Sequence, residues 1–280
     1  MKASLLVTLC PTKKVQAQFL ADQFSIPIVD GSHLAFAKPR EIEGFVRSHV
    51  KPNHSEPCFV FLQYKQGLAL AQVAEDNLLS VRADFSSSTV NYRRQKGGGK
   101  GQMIAKAIGL NSTTAPHVYD ATAGLGGDSF VLASLGCSVT MTERVPEVNA
   151  LLADGLRVAH EWGSEKDQSL VAILKRMTLV ESDAAEYMQT LDDVEKPEVV
   201  YLDPMFPHRK KSAQVKKEMQ VFHQLIGTDS DADLLLKIAQ ESAQKRVVVK
   251  RPRIAPFLAG QEPNYLLEGK SNRFDVYLTQ

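Results

Sequence analysis

Two stretches of this 280-residue sequence hold residues whose types and spacing can do chemistry. The first is Asp120-Ala-Thr-Ala-Gly-Leu-Gly-Gly-Asp128. Gly124, Gly126 and Gly127 lack Cβ atoms, so the backbone there can take positive φ and approach a ligand closely. A helix starting at this point would aim unpaired N–H groups at that ligand. The glycines do not follow the G-x-G-x-x-G spacing of a dinucleotide turn. Asp120 and Asp128 bracket the turn, and acidic groups suit a cation better than a pyrophosphate. S-adenosylmethionine (SAM), with its sulfonium and its free ammonium, is a nucleoside that fits. The second stretch is Val199-Val-Tyr-Leu-Asp203-Pro-Met-Phe-Pro207, an apolar run that enters an Asp-Pro step. An exocyclic amine on a base is a poor nucleophile, because its lone pair is delocalised into the ring. A carboxylate at Asp203 and the carbonyl of Pro204 can accept its two N–H bonds, aligning it and favouring its charge during methyl arrival. Proline holds φ and leaves its carbonyl free, and Phe206 can stack on the base face.

Further polar residues follow strand-like runs. Glu143 ends Val139-Thr-Met-Thr, where an acid can accept both hydroxyls of a ribose; a solvated strand-end carboxylate is the plainer alternative. Arg144 follows it and can pack beside the ligand. Ser182 and Asp183 end a third run, where Asp183 can accept from an adenine amino group or simply cap the next helix.

The elements needed to position these residues can be read from periodicity. From residue 117 onward, strand and helix alternate. Strands are expected at 117–121, 138–143, 177–181, 199–203, 246–250 and 274–278, with helices at 128–135, 146–160, 184–191 and 231–243. Such alternation predicts an α/β domain with a parallel sheet covered by helices, whose ligands bind at the carboxyl ends of the strands. The first ninety residues read as a smaller mixed α/β unit. It has a strand at 5–9, a helix at 14–24 with Val15, Phe19, Leu20 and Phe24 on one side, a hairpin of 58–64 and 67–73 around Lys65-Gln66, and a further strand at 78–85. Ser86-Ser-Ser-Thr and the Gly-rich 92–101 segment read as a linker before a helix at 102–110. The domains expected are therefore 1–90 and 91–280. Gly97-Gly-Gly-Lys-Gly101 lacks the G-x-x-x-x-G-K-[S/T] pattern, which argues against triphosphate binding.

Composition narrows the class. At 44% hydrophobic and 23% charged residues, the chain reads as a soluble globular protein. No apolar run reaches the roughly 18 residues of a membrane span, and the N-terminal apolar run reads as a strand rather than a signal peptide. Cys10, Cys58 and Cys137 form no C-x-x-C pair and the seven histidines no ligand spacing, so no metal is expected and a reducing cytoplasm fits. Net charge is only +1, yet cations cluster at Arg93, Arg94, Lys96 and Lys100, at His208, Arg209, Lys210 and Lys211, and at Lys250 and Arg251. Placed beside the candidate motifs, these clusters suggest contact with RNA phosphates.

Asp120–Asp128, Glu143-Arg144, Leu202-Asp-Pro-Met-Phe-Pro-His208, Lys211-Ser-Ala-Gln-Val-Lys-Lys-Glu-Met219 and Arg246-Val-Val-Val-Lys-Arg-Pro252 together resemble the ribosomal RNA small subunit methyltransferase J family. The resemblance runs from about residue 90 to the C-terminus and, more loosely, through the N-terminal part. It implies a Rossmann-like SAM-dependent methyltransferase domain behind the small N-terminal domain. It also implies a cytoplasmic enzyme that methylates N2 of a guanine in 16S rRNA, free or in the small ribosomal subunit. By position it implies SAM contacts at Gly127-Asp128, Glu143-Arg144, Ser182-Asp183 and Asp203. Met205 stands where the broader amino-methyltransferase pattern has a second proline. Two rivals stay open on residue chemistry alone. One is adenine-N6 methylation of DNA or RNA, which the same Asp-Pro chemistry would serve; the other is a non-catalytic RNA-binding assembly protein. A NAD-dependent dehydrogenase fits worst, because the glycine spacing is wrong for it.

Overall fold

The computed structural model describes residues 2–50, 58–74, 78–87, 90, 99–111, 114–205 and 231–279, which fall into two units divided between Ala83 and Asp84. The first unit contains β1 (Ala3–Thr8), α1 (Lys14–Phe24), β2 (Ile28–Asp30), α2 (Pro39–His49), β3 (Cys58–Tyr64), β4 (Gly67–Val73) and β5 (Leu78–Val81). Its strands lie in the order β2-β1-β3-β4-β5. The β1 strand pairs in parallel with β2 and β3, while β3, β4 and β5 are antiparallel. The hairpin turns around Lys65-Gln66 as expected, with Tyr64 paired to Gly67. One face of this sheet packs Leu5, Val7, Val60, Leu62, Ala69 and Ala71 against Ile42 and Val46 of α2. Periodicity did not reveal α2. Its start is nonetheless written locally, because Pro39 opens it and the backbone N–H of Lys38 donates to Glu41 Oε2 at 2.7 Å.

The face expected for α1 holds only in its second half, where Leu20 and Phe24 are half-buried and Phe24 packs edge-on against Phe61 with ring centroids 5.0 Å apart. Val15 and Phe19 are 88% and 71% exposed, whereas Ala17 and Ala21 are buried. Two alanines four apart let the helix backbone lie close to its support, and that contact sets the rotation of the helix. Bulky side chains at 15 and 19 are left facing outward.

The second unit holds α3 (Met103–Ala107), β6 (His117–Asp120), α4 (Gly127–Ser134), β7 (Ser138–Thr142), α5 (Pro146–Lys166), α6 (Gln168–Leu174), β8 (Met177–Val180) and α7 (Ala184–Thr190). It continues through β9 (Val199–Leu202), α8 (Ala232–Ser242), β10 (Arg246–Pro252), β11 (Tyr265–Glu268) and β12 (Asn272–Leu278). The seven strands are ordered β11-β12-β10-β9-β6-β7-β8. The neighbours from β10 through β9, β6 and β7 to β8 are parallel, and β12 is antiparallel to both β10 and β11. Strand order therefore reverses between β6 and β9. In an open α/β sheet that reversal parts the loops at the carboxyl ends and leaves a crevice for a ligand.

Central strands β6, β9 and β10 read as apolar runs because helices cover both faces. Tyr119, Val200, Leu202, Val247 and Val249 pack with Met188 of α7 and Leu236 and Ala239 of α8. The α5 helix extends six residues past the expected end, since nothing before Asp167 breaks it. Asp167 then caps α6, accepting from the N–H groups of Ser169 and Leu170 at 3.0 and 3.1 Å. Among the described residues no helix is long and apolar enough to cross a membrane.

Candidate active site

The loops after β6 and β9 meet beside the strand-order reversal. Asp120 is the last residue of β6 and is 2% exposed. Its carboxylate accepts from the Thr122 N–H at 3.1 Å and from the Ser129 hydroxyl. Burial is the main reason its pKa rises to about 7; the two hydrogen bonds oppose the rise, and the Asp128 and Asp203 charges add to it.

The turn that follows depends on its glycines. Gly124 and Gly126 have φ of +55° and +75°, in the left-handed region. A Cβ on Gly126 would lie 2.7 Å from Leu152 Cδ1 and 3.0 Å from Phe85 Cζ. A Cβ on Gly127, by contrast, would meet no atom within 4 Å. The turn is thus packed on its inner side and bare at the first residue of α4, which leaves the cradle a nucleoside needs. Glu143 braces the same turn from the end of β7. Its carboxylate accepts from the Gly124 N–H at 3.0 Å and the Val145 N–H at 2.8 Å. Each carboxylate oxygen has two lone pairs, so these bonds leave acceptor capacity for ribose hydroxyls.

Asp128 lies in the first turn of α4 and is bonded there by side chains. Its Oδ2 accepts from the Tyr201 hydroxyl at 2.6 Å and from Lys250 Nζ at 2.7 Å. Lys250 Nζ also donates to Asp203 Oδ2 at 2.8 Å. The Asp203 backbone N–H donates to Thr122 Oγ1 at 2.6 Å, which ties the loop after β9 to the loop after β6. Burial raises the Asp203 pKa, with the Lys250 charge pulling it down and Asp128 pushing it up. Burial would lower the Lys250 pKa, but the Asp203 and Asp128 charges outweigh it and the net direction is up. Pro204 is buried directly after Asp203.

The other residues singled out from the sequence are placed less uniformly. Arg144 donates to Asp231 Oδ2 at 2.7 Å, an ion pair at a partly exposed position. Ser182 donates to the Asp183 carbonyl at 3.1 Å. Asp183 caps α7 through Oδ1, accepting from the N–H groups of Ala185 and Glu186 at 2.8 and 3.3 Å. That is the plainer of its two sequence readings. Lys100 donates to the Asn111 carbonyl at 3.1 Å and is exposed.

Lys250 and Arg251 were expected to face RNA, and both are placed otherwise. Successive strand residues point to opposite faces. Lys250 therefore reaches the two carboxylates. Arg251 goes inward, is 5% exposed, and donates to the Pro256 carbonyl at 3.0 Å. Phe206, His208, Arg209, Lys210 and Lys211, and likewise Arg93, Arg94 and Lys96, lie outside the described residues.

Motif reading missed four contributors: Thr122, Ser129, Tyr201 and Lys250 in its carboxylate-bridging position. Tyr201 left a signal, being the polar-tipped residue within an otherwise aliphatic run that ends in Asp203. A buried tyrosine hydroxyl needs a partner, and Asp128 supplies it.

Comparison with known proteins bears on the family and the fold. A family of SAM-dependent methyltransferases matches residues 46–279. Ribosomal RNA small subunit methyltransferase J of Cellvibrio japonicus is 50% identical over 257 residues, covering 90% of this chain and 97% of that protein. The protein of the same name from Saccharophagus degradans is 44% identical over 284 residues, covering 99% and 97%. A crystal structure of a SAM-dependent methyltransferase from Neisseria gonorrhoeae superposes with a TM-score of 0.67 at 38% identity, covering 98% of this chain and 96% of that one.

Proposed function

Since this chain belongs to the ribosomal RNA small subunit methyltransferase J family, and is accordingly a SAM-dependent enzyme with a Rossmann-like fold, we propose that it methylates the exocyclic N2 amine of a guanine in 16S rRNA. The observation that carries the proposal is the Asp203 N–H bond to Thr122, which holds the Asp-Pro step against the glycine loop. Cofactor turn and acceptor loop then lie side by side at the carboxyl ends of two adjacent central strands, as in-line transfer between two bound groups requires.

The bare backbone at Gly127, the braced Gly124 and the carboxylates of Glu143 and Asp128 would hold SAM, with Asp120 beneath the turn, Gly126 in it, and Arg144, Ser182 and Asp183 at its margin. When bound, SAM supplies an electrophilic methyl carbon on a sulfonium centre. The Asp203 carboxylate and the Pro204 carbonyl accept the two N–H bonds of the guanine amine, and Phe206 stacks on the ring. The nitrogen would become cationic as its C–N bond forms while the S–CH3 bond breaks, the electron pair staying on sulfur to leave S-adenosylhomocysteine, and would then shed one proton toward Asp203 or water. No strong base is needed before transfer. Arg93, Arg94, Lys96, Lys100, His208, Arg209, Lys210 and Lys211 would contact RNA phosphates. The reaction belongs in the cytoplasm, where ribosomal subunits are assembled.

The test is mass mapping of methylated nucleotides in rRNA from a strain lacking the gene, complemented with the wild-type or the Asp203→Ala protein. Wild type should restore one N2-methylguanine in 16S rRNA and the variant should not. Restoration of an N6-methyladenine instead, or full restoration by the variant, would overturn the proposal.

A further inference from the structure

We infer that Lys250 is a positioning residue, whose ammonium, bonded to both Asp128 and Asp203, fixes the Asp203 carboxylate as the amine acceptor and keeps it in register with the cofactor turn. The inference rests on the function proposed above and deepens it at the same site.

The placement follows from the sheet. Strands β9 and β10 are parallel neighbours with Leu202 opposite Val249, so Asp203 and Lys250 are each one residue beyond that pair. Asp128 reaches the same point from the first turn of α4. One nitrogen therefore joins three elements, at 2.7 Å to Asp128 and 2.8 Å to Asp203. A lysine suits this task because its ammonium is a compact charge with three donors, able to serve two separate oxygens at once.

The charge balance argues against an RNA contact for this side chain. Two carboxylates and one ammonium leave a net charge of −1 at the cluster. An RNA phosphate approaching Lys250 would meet that negative charge and would have to displace a bonded carboxylate. A substrate amine, with its N–H dipoles pointing in, meets the charge favourably.

The titratable and charged groups that act on Asp203 come from several neighbouring elements. Among the described residues they are Asp120 from β6, Asp128 from α4, Tyr201 from β9 and Lys250 from β10, with Arg251 acting by its charge from the other face of β10. Burial, Asp128 and Asp120 work to keep a proton on Asp203, while Lys250 and, more weakly, Arg251 work to remove it. A protonated Asp203 would present a competing O–H donor to the amine. Without the lysine charge, Asp203 should hold its proton to a higher pH.

The experiment compares wild type, Lys250→Met and Lys250→Arg in single-turnover methyl transfer from pH 5 to 9. The acceptor is small-subunit rRNA or small subunits from a strain lacking the gene. Binding of the same RNA is measured separately without cofactor. In Lys250→Met, the acid limb of the rate profile should move up by about one pH unit or more, since one charge within 4–6 Å shifts a carboxylate by that much. The rate at pH 7 should fall at least roughly tenfold, RNA affinity should stay within about twofold of wild type, and Lys250→Arg should keep the acid limb near its original position. If Lys250→Met does not fold, Lys250→Gln decides the same question, because it retains a donor and lacks the charge. An unmoved acid limb in the neutral variant overturns the inference, as does a loss of RNA affinity with an unchanged pH profile. Product digestion to nucleosides in the same samples reads the methylated base. A base other than guanine would sink the proposed function while leaving the Lys250 result to be judged on its own.

Discussion

Replacing Asp120 by asparagine should make folding stability less sensitive to pH. Asp120 is fully enclosed, and its carboxyl titrates near 7 where an unfolded aspartate titrates near 3.8. The raised value belongs to the folded state, so the contribution to stability is complete below pH 3.8 and is lost as pH rises through about 7. Between those values the folded protein holds a proton that the unfolded chain has released. Each unit of that gap is worth about 1.4 kcal/mol, which makes the whole loss about 4 kcal/mol and the loss between pH 5 and 8 roughly 3 kcal/mol. Asparagine keeps the geometry. Its carbonyl oxygen still accepts from the Thr122 N–H, and its amide donates to the Ser129 oxygen in place of accepting from it. Urea unfolding followed by the fluorescence of Trp162, the only tryptophan in the chain, reports on this unit directly because Trp162 lies in α5. The wild-type-minus-variant difference should change by roughly 3 kcal/mol between pH 5 and 8, in the direction that favours the variant at high pH. Parallel stability curves across that range would refute the reasoning.

Three further outcomes follow from single contacts. Gly126→Ala forces a Cβ to within 2.7 Å of Leu152 at a φ of +75°, and should cost about 2–4 kcal/mol in urea unfolding; a change under about 0.5 kcal/mol would contradict the packing. Arg273→Met should cost about 3–5 kcal/mol, because it strips Asp275, 0% exposed, of its ion-pair partner and releases the carbonyls of Arg253 and Ala255; thermal and urea unfolding would both read it. Glu143→Gln leaves one acceptor oxygen where two now hold the N–H groups of Gly124 and Val145. Affinity for S-adenosylhomocysteine by calorimetry should fall at least roughly tenfold with the fold intact, and unchanged affinity would remove Glu143 from the cofactor site.

What could be read from the sequence was local. The hairpin at 58–73 follows from two apolar runs parted by two polar residues. The strands around β6, β7, β9 and β10 follow from short apolar runs that helices cover on both faces. The glycine turn and the Asp203-Pro204 step are each written in fewer than ten consecutive residues, and their chemistry depends on backbone freedom and residue type alone. Such features are specified by neighbours along the chain.

Other features depend on neighbours in space. The rotation of α1 was set by which side chains could lie against their support, so Ala17 and Ala21 displaced the bulkier Val15 and Phe19 from the buried face. The edge strand β11 has little apolar burial to mark it, and α6 is too short to show a period. Lys250 reads in sequence as one more cation in a basic run. Its partners, Asp128 and Asp203, are 122 and 47 residues away along the chain. Only the closing of β6, β9 and β10 into adjacent strands brings one ammonium between two carboxylates. The sequence by itself determined a glycine turn and an Asp-Pro step fit for methyl transfer to an amine. The tertiary structure decided which charge stands between them, because electrostatic energy at that range is set by distance through space and by burial, and a linear motif encodes neither.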